Sequence, residues 1–280
     1  MWYIMFRMNL KKIVPALFIL LIPVSIFVFF MYGGAIKDRL IVWQREASLP
    51  PAVSYDQIVN SNEPSVVAQP SPQEPSPTDP ALPPEPPTLI SLPPSINLGV
   101  PFTSQAPFAN WDEVHEETCE EASLLMVARY KKGQTIDSPS DADQELLKLV
   151  DFENKIFGYY KDTTAEETAR IGKEYYGFKK PRVVYEFTVD TIKRELAAGN
   201  PIIVPAAGRQ LGNPYFTSPG PIYHMLVIRG YTADGKFITN DPGTRRGEGY
   251  LYKFDTVMNA IHDWNGGDVV NGKKVIIVLE

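Results

Sequence analysis

Residues 13–32, IVPALFILLIPVSIFVFFMY, form twenty consecutive positions without a charge, and this run fixes where the rest of the chain can fold. At 1.5 Å per residue a helix of this length spans a hydrocarbon core of about 30 Å. Arg7, Lys11 and Lys12 precede it with no acid among them, so the positive-inside rule leaves residues 1–12 in the cytoplasm and exports the remainder of the chain. The run is longer than the core of an ordinary cleavable signal, and no small-x-small site precedes Gly33-Gly34-Ala35. Residues 13–34 are therefore read as a retained single-pass plasma-membrane anchor, with the lipid bilayer its partner through 13–32. A cleaved signal peptide is the alternative. Pro15 and Pro23 weaken the helix without excluding it.

Fourteen of the 26 prolines lie between residues 50 and 94, mixed with Ser, Glu, Gln and Thr, and apolar periodicity vanishes there. Such a stretch buries too little surface to offset its ordering entropy. Residues 35–94 thus read as a juxtamembrane segment followed by a disordered, stiff stalk with a reach of up to about 140 Å. The remaining segment, residues 95–280, is long enough for one domain with a substantial core. A net charge of −6 and the absence of a basic stripe interleaved with aromatics argue against a nucleic-acid partner. Neither a phosphate-cradling glycine motif nor a zinc spacing of Cys and His occurs, so no cofactor and no metal are expected. A site built from carboxylates alone stays open.

Helical patterns come first, over 118–132, 140–155, 164–176 and 189–198; Thr118/Glu121 and Thr164/Glu167 are spaced as capping boxes. Strand-like runs come next at 201–206, 224–231, 236–240, 250–254 and 274–279, with a short helix near 256–263. This order predicts an α+β domain with a helical lobe followed by an antiparallel-sheet lobe.

The chain's one cysteine, Cys119, falls in the first turn of the first of these helices, where unpaired N–H groups and the helix dipole favour a thiolate. Its neighbours Glu116, Glu117, Glu120 and Glu121 make this a polar helix start, which speaks against the alternative of a small buried hydrophobe. The same acids oppose thiolate formation. Thr232-Ala233-Asp234-Gly235 reads as the turn of a hairpin joining 224–231 to 236–240, which brings His224 beside Asn240-Asp241. Only one of those two can face the imidazole, and alternation alone does not choose between them. Cys, His and Asp/Asn then occur in the chain order of a papain-like triad. His115 and His262 are weaker candidates for the base.

The stretches VPFTSQAPFANW, TCEEASLLMVARY, HMLVIRGY and FITNDPGTRRGEGY together resemble the C39-like cysteine peptidases, papain-like relatives of the enzymes that remove double-glycine leaders from bacteriocins. The resemblance covers most of residues 97–280 and implies a bacterial source and a papain-like fold. It also implies Cys119 as nucleophile, His224 as general base, Asp241 as orienting acid because an acid before proline typically ends that strand, and Gln105 as side-chain donor to the oxyanion. Asn240 is the alternative orienting residue. Phe108, Trp111, Tyr215 and Phe216 are candidates for the substrate cleft, core packing being their alternative. Leader peptidases usually carry Gly after the nucleophile, where this chain has Glu120, and they work in the cytoplasm. The expected activity is therefore a cell-envelope cysteine peptidase or amidase acting through an acyl-thioenzyme on a peptide, a protein or a peptidoglycan stem peptide. A silent binding module of the same fold and an acyl-transferase or transpeptidase are the alternatives.

Overall fold

The computed structural model describes residues 34–62 and 92–280. The expected anchor at 13–32 and the Pro-rich residues 63–91 lie outside the described residues. Among the described residues no helix is long and apolar enough to cross a membrane. The chain divides into two compact units, 1–47 and 48–280. In the first, residues 34–46 form a helix, α1, that exposes Ile36, Leu40 and Trp43.

The second unit begins at Ser48, well before the boundary expected at residue 95. The prolines pause between 51 and 64, and Ser54 with Gln57 closes a capping box that the proline count conceals: the Ser54 N–H donates to Gln57 Oε1 (2.8 Å) and the Gln57 N–H to Ser54 Oγ (3.3 Å). A helix follows, α2 (Tyr55–Asn62). Just before it Val53 pairs with the first strand, its N–H donating to Asn97 O and its carbonyl accepting from Gly99 N, both at 2.8 Å. Ile58 is buried in the main core, and Tyr55 meets Tyr130 edge-on with Lys131 Nζ 4.3 Å from the Tyr55 ring centre. Residues 48–62 are thus part of the domain and not of a stalk.

The remaining elements are β1 (Ile96–Asn97), α3 (Cys119–Lys131), α4 (Pro139–Ile156), α5 (Ala165–Glu174), β2 (Arg182–Val184), α6 (Val189–Ala197), β3 (Ile202–Ala207), α7 (Gly208–Leu211), β4 (Tyr223–Tyr231), β5 (Lys236–Asn240), β6 (Tyr250–Lys253), α8 (Phe254–Ala260) and β7 (Ile276–Val278). The strands form one antiparallel sheet in the order β2-β7-β3-β4-β5-β6, with β1 added to β4. All nine residues of β4 are buried. Gly230 lets β1 approach it, because a Cβ there would stand 2.2 Å from Ile96 O.

Helices and sheet share one continuous apolar cluster rather than two lobes, and α6, α7 and α8 interleave with the strands. A small satellite cluster, Ala122, Leu125, Ala142 and Leu146, joins α3 to α4. The capping box expected at α5 is present, whereas the one expected at α3 is absent: Thr118 caps nothing with its side chain and donates to Gln105 O instead. Its intended partner, Glu121, points into the protein and is fully buried.

Candidate active site

The β4–β5 hairpin sets the centre of the site. Its register pairs Val227 with Asn240, so the chain leaving β5 passes the start of β4. His224 Nε2 lies 2.8 Å from Asp241 Oδ1, with both side chains buried. Asp241 Oδ2 accepts from Asn213 Nδ2 (2.9 Å) and from the Tyr252 hydroxyl (2.7 Å), and the Gly243 N–H reaches Oδ1 at 3.1 Å. Burial alone would raise the Asp241 carboxyl, but the His224 charge and these hydrogen bonds outweigh it and hold the group below its ordinary value. The carboxylate therefore stays ionised and fixed beside the imidazole.

Asn240 faces away from this centre. Its amide donates to Val100 O (3.0 Å) and Pro101 O (3.3 Å), and its oxygen accepts from the Gly249 N–H. Alternation along the strand decides the matter once the register is known.

Cys119 comes to the same place because α3 packs across β4. The backbone N–H of Met225, the residue after His224, hydrogen-bonds to its sulfur. The helix start is not polar in the folded protein: Cys119, Glu120 and Glu121 are 6%, 1% and 0% exposed. The thiol donates to Glu120 Oε2 at 2.9 Å. Burial, followed by the charge on Glu120, pushes the thiol well above its ordinary value. The adverse effect of the neighbouring acids is thus accompanied by a larger one, desolvation, that the pattern of charges did not convey.

Gln105 lies in the loop ahead of α3, tied to it through Thr118. Both N–H bonds of its side chain are engaged, to His115 O (2.9 Å) and Glu116 O (3.0 Å), while its Oε1 is buried without a partner. Phe216 packs edge-on against the His224 ring at 5.3 Å, and Gly243 makes room for both, since a Cβ there would sit 2.9 Å from His224 Cε1. Tyr215 is half-buried against Tyr250 and under Arg246. Phe108 and Trp111 are exposed on the loop that leads to Cys119. His115 is held between Asp112 and Asp143, and His262 lies beyond α8, so neither joins the site.

The profile of the Peptidase_C39 like family matches residues 97–266. The chain belongs to that family. As a member of that family it is a cysteine peptidase, a hydrolase whose substrate class is peptide or protein. A crystal structure described as that of a putative C39-like peptidase from Bacillus anthracis matches with a TM-score of 0.45 and 17% identity, over 66% of this chain and 97% of that one. None of the curated proteins is a match. The family match begins at residue 97, so it leaves out residues 48–62, which this C39-like domain nevertheless folds against itself.

Asn213 and Tyr252 are the site residues that sequence reasoning missed. Tyr252 lies inward in β6, where alternation marks it as buried, but nothing local ties it to Asp241. Asn213 reaches Asp241 from a loop 28 positions upstream and leaves no sequence signal. Among the described residues no group of three or more Cys, His, Asp or Glu is arranged to hold a metal ion.

Proposed function

We propose that the protein is a membrane-anchored, outward-facing C39-like peptidase that cleaves a peptide or amide bond through an acyl-thioenzyme. The observation that carries this reading is the buried His224–Asp241 pair with the Cys119 sulfur on the N–H of the next residue, Met225. With Nε2–H donated to Asp241, the lone pair of His224 is on Nδ1, and that atom serves as the base. It takes the thiol proton as the sulfur attacks the carbonyl, then returns it to the leaving nitrogen. The resulting thioester is hydrolysed when the same nitrogen draws a proton from water. Asp241 stabilises the imidazolium, and the Cys119 N–H, left unpaired in the first helical turn, is one oxyanion donor.

Exposure to an electrophilic peptide probe, followed by intact-mass analysis, tests this. One adduct is expected, lost in Cys119→Ala and strongly reduced in His224→Ala. Labelling indifferent to His224 would favour the second reading, a binding module without turnover, which the elevated thiol and its bond to Glu120 support. Added amine nucleophiles would reveal acyl transfer by new products.

Gln105 is proposed as the second oxyanion donor, one N–H leaving a loop carbonyl when substrate binds. Gln105→Ala is then expected to lower kcat by roughly 10²–10³-fold with little change in KM. Loss of stability with kcat kept in the folded fraction would make Gln105 a tie within the loop.

The proposed anchor is tested by mapping the N-terminus of membrane-bound protein. Retention of residues 13–32 is expected. A start near residue 35 would mean a cleaved signal peptide.

A further inference from the structure

Beside the Cys119 sulfur lies a carboxyl that peptide hydrolysis by a thiol does not require. Glu120 Oε2 is 2.9 Å from Sγ, and its Oε1 is buried without a partner. An ionised carboxylate held this way has a weak S–H donor on one oxygen and nothing on the other, a costly arrangement in a dry site.

The surroundings do not relieve it. Glu121 comes next on α3, Glu117 precedes it, Asp162 faces it from the segment between α4 and α5, Glu153 lies on α4, and Tyr223 stands on β4. Lys161 acts on Asp162. The oxygens of Glu121 and Glu153 have no ordinary donor, yet the two carboxyls lie within hydrogen-bonding reach of each other, a contact that requires a proton on at least one of them. Cys119 is therefore backed by carboxyls that hold protons.

We propose that Glu120 works as a neutral carboxylic acid donating its O–H to the Cys119 thiolate, and that ionising Glu120 switches the nucleophile off. This rests on Cys119 being the nucleophile. When the thiol proton passes to His224, the sulfur gains two donors, the Glu120 O–H and the Met225 N–H; Glu120 keeps its own proton throughout acylation. Once ionised, Glu120 accepts from the S–H instead, and its charge opposes loss of that proton. Burial first, with added repulsion from Asp162 and Glu117, raises Glu120 to about 8, so the donor form prevails below that pH.

The test is the rate of iodoacetamide alkylation of Cys119 in the full-length protein, followed by intact mass between about pH 6 and 10. Wild-type protein is expected to bend downward near pH 8 as Glu120 ionises. Glu120→Gln, which keeps an N–H donor and cannot ionise, should lack the bend. Asp162→Asn removes a repelling charge and should move the bend to lower pH; Asp162 has φ +53°, a conformation Asn accepts readily. Identical profiles in all three proteins would overturn the proposal. So would a Glu120→Gln protein unreactive throughout, because the carboxylate would then be needed as a base. Alkylation requires no peptide, so these results stand apart from any failure to cleave substrate.

Discussion

Asp241→Ala is expected to lower turnover on the order of 10³–10⁴-fold, because an imidazole without its buried carboxylate loses both its tautomer and the charge that stabilises the imidazolium. The four groups converging on Asp241 make the effect specific: His224, Asn213, Tyr252 and the Gly243 N–H all bond to this one side chain. Asp241→Asn should fall nearly as far, since its amide keeps the shape without the charge. Asn240→Ala should cost stability instead, because removing that side chain strands the Val100 carbonyl and the Gly249 N–H. The measurement is kcat on folded protein beside the thermal midpoint of each variant. A larger loss of kcat in Asn240→Ala would move the orienting role to Asn240 and make the triad Cys-His-Asn.

Stability is expected to fall as pH rises from about 6 to 8.5, by up to about 1.4 kcal/mol per pH unit for each carboxyl that keeps its proton only when folded. Burial raises Glu120 to about 8 and Glu153 to about 9, and it raises Glu121 as well, with the charges on Glu120 and Glu153 adding to the shifts of their neighbours. Between the unfolded carboxylate value near 4.3 and these folded values the native state binds more protons, so each pH increment favours unfolding. Asp241 acts in the opposite sense: its folded value is lowered, so its contribution is present above the unfolded value and is lost in strong acid. Denaturant titrations across the window should show the slope, and Glu153→Gln should flatten it. A flat profile, or an unchanged slope in the variant, would mean that the carboxyls are solvated.

The helices with strong apolar periodicity and the hairpin were legible because one face or one turn declared each of them. The hairpin foreshadowed the contact of His224 with the end of β5, but which of Asp241 and Asn240 faces the imidazole needed the β4–β5 register, which is a tertiary quantity. The burial of Glu120 and Glu121 was not legible. Four acids around a helix start look solvated, and only the packing of α3 on β4 and α4 puts two of them inside. The short β1 and β2 strands and α7 are positioned by partners distant in sequence. The helix at 55–62 was hidden by averaging over a proline-rich window, although Ser54 and Gln57 carried its signal.

Because residues 48–62 are seated on the domain and the chain rejoins it at β1, the Pro-rich stretch between them leaves and returns to the same body. A single proteolytic nick within 63–91 would leave the two fragments joined through Val53 and Ile58, so shedding the domain requires a cut on the N-terminal side of Ser48.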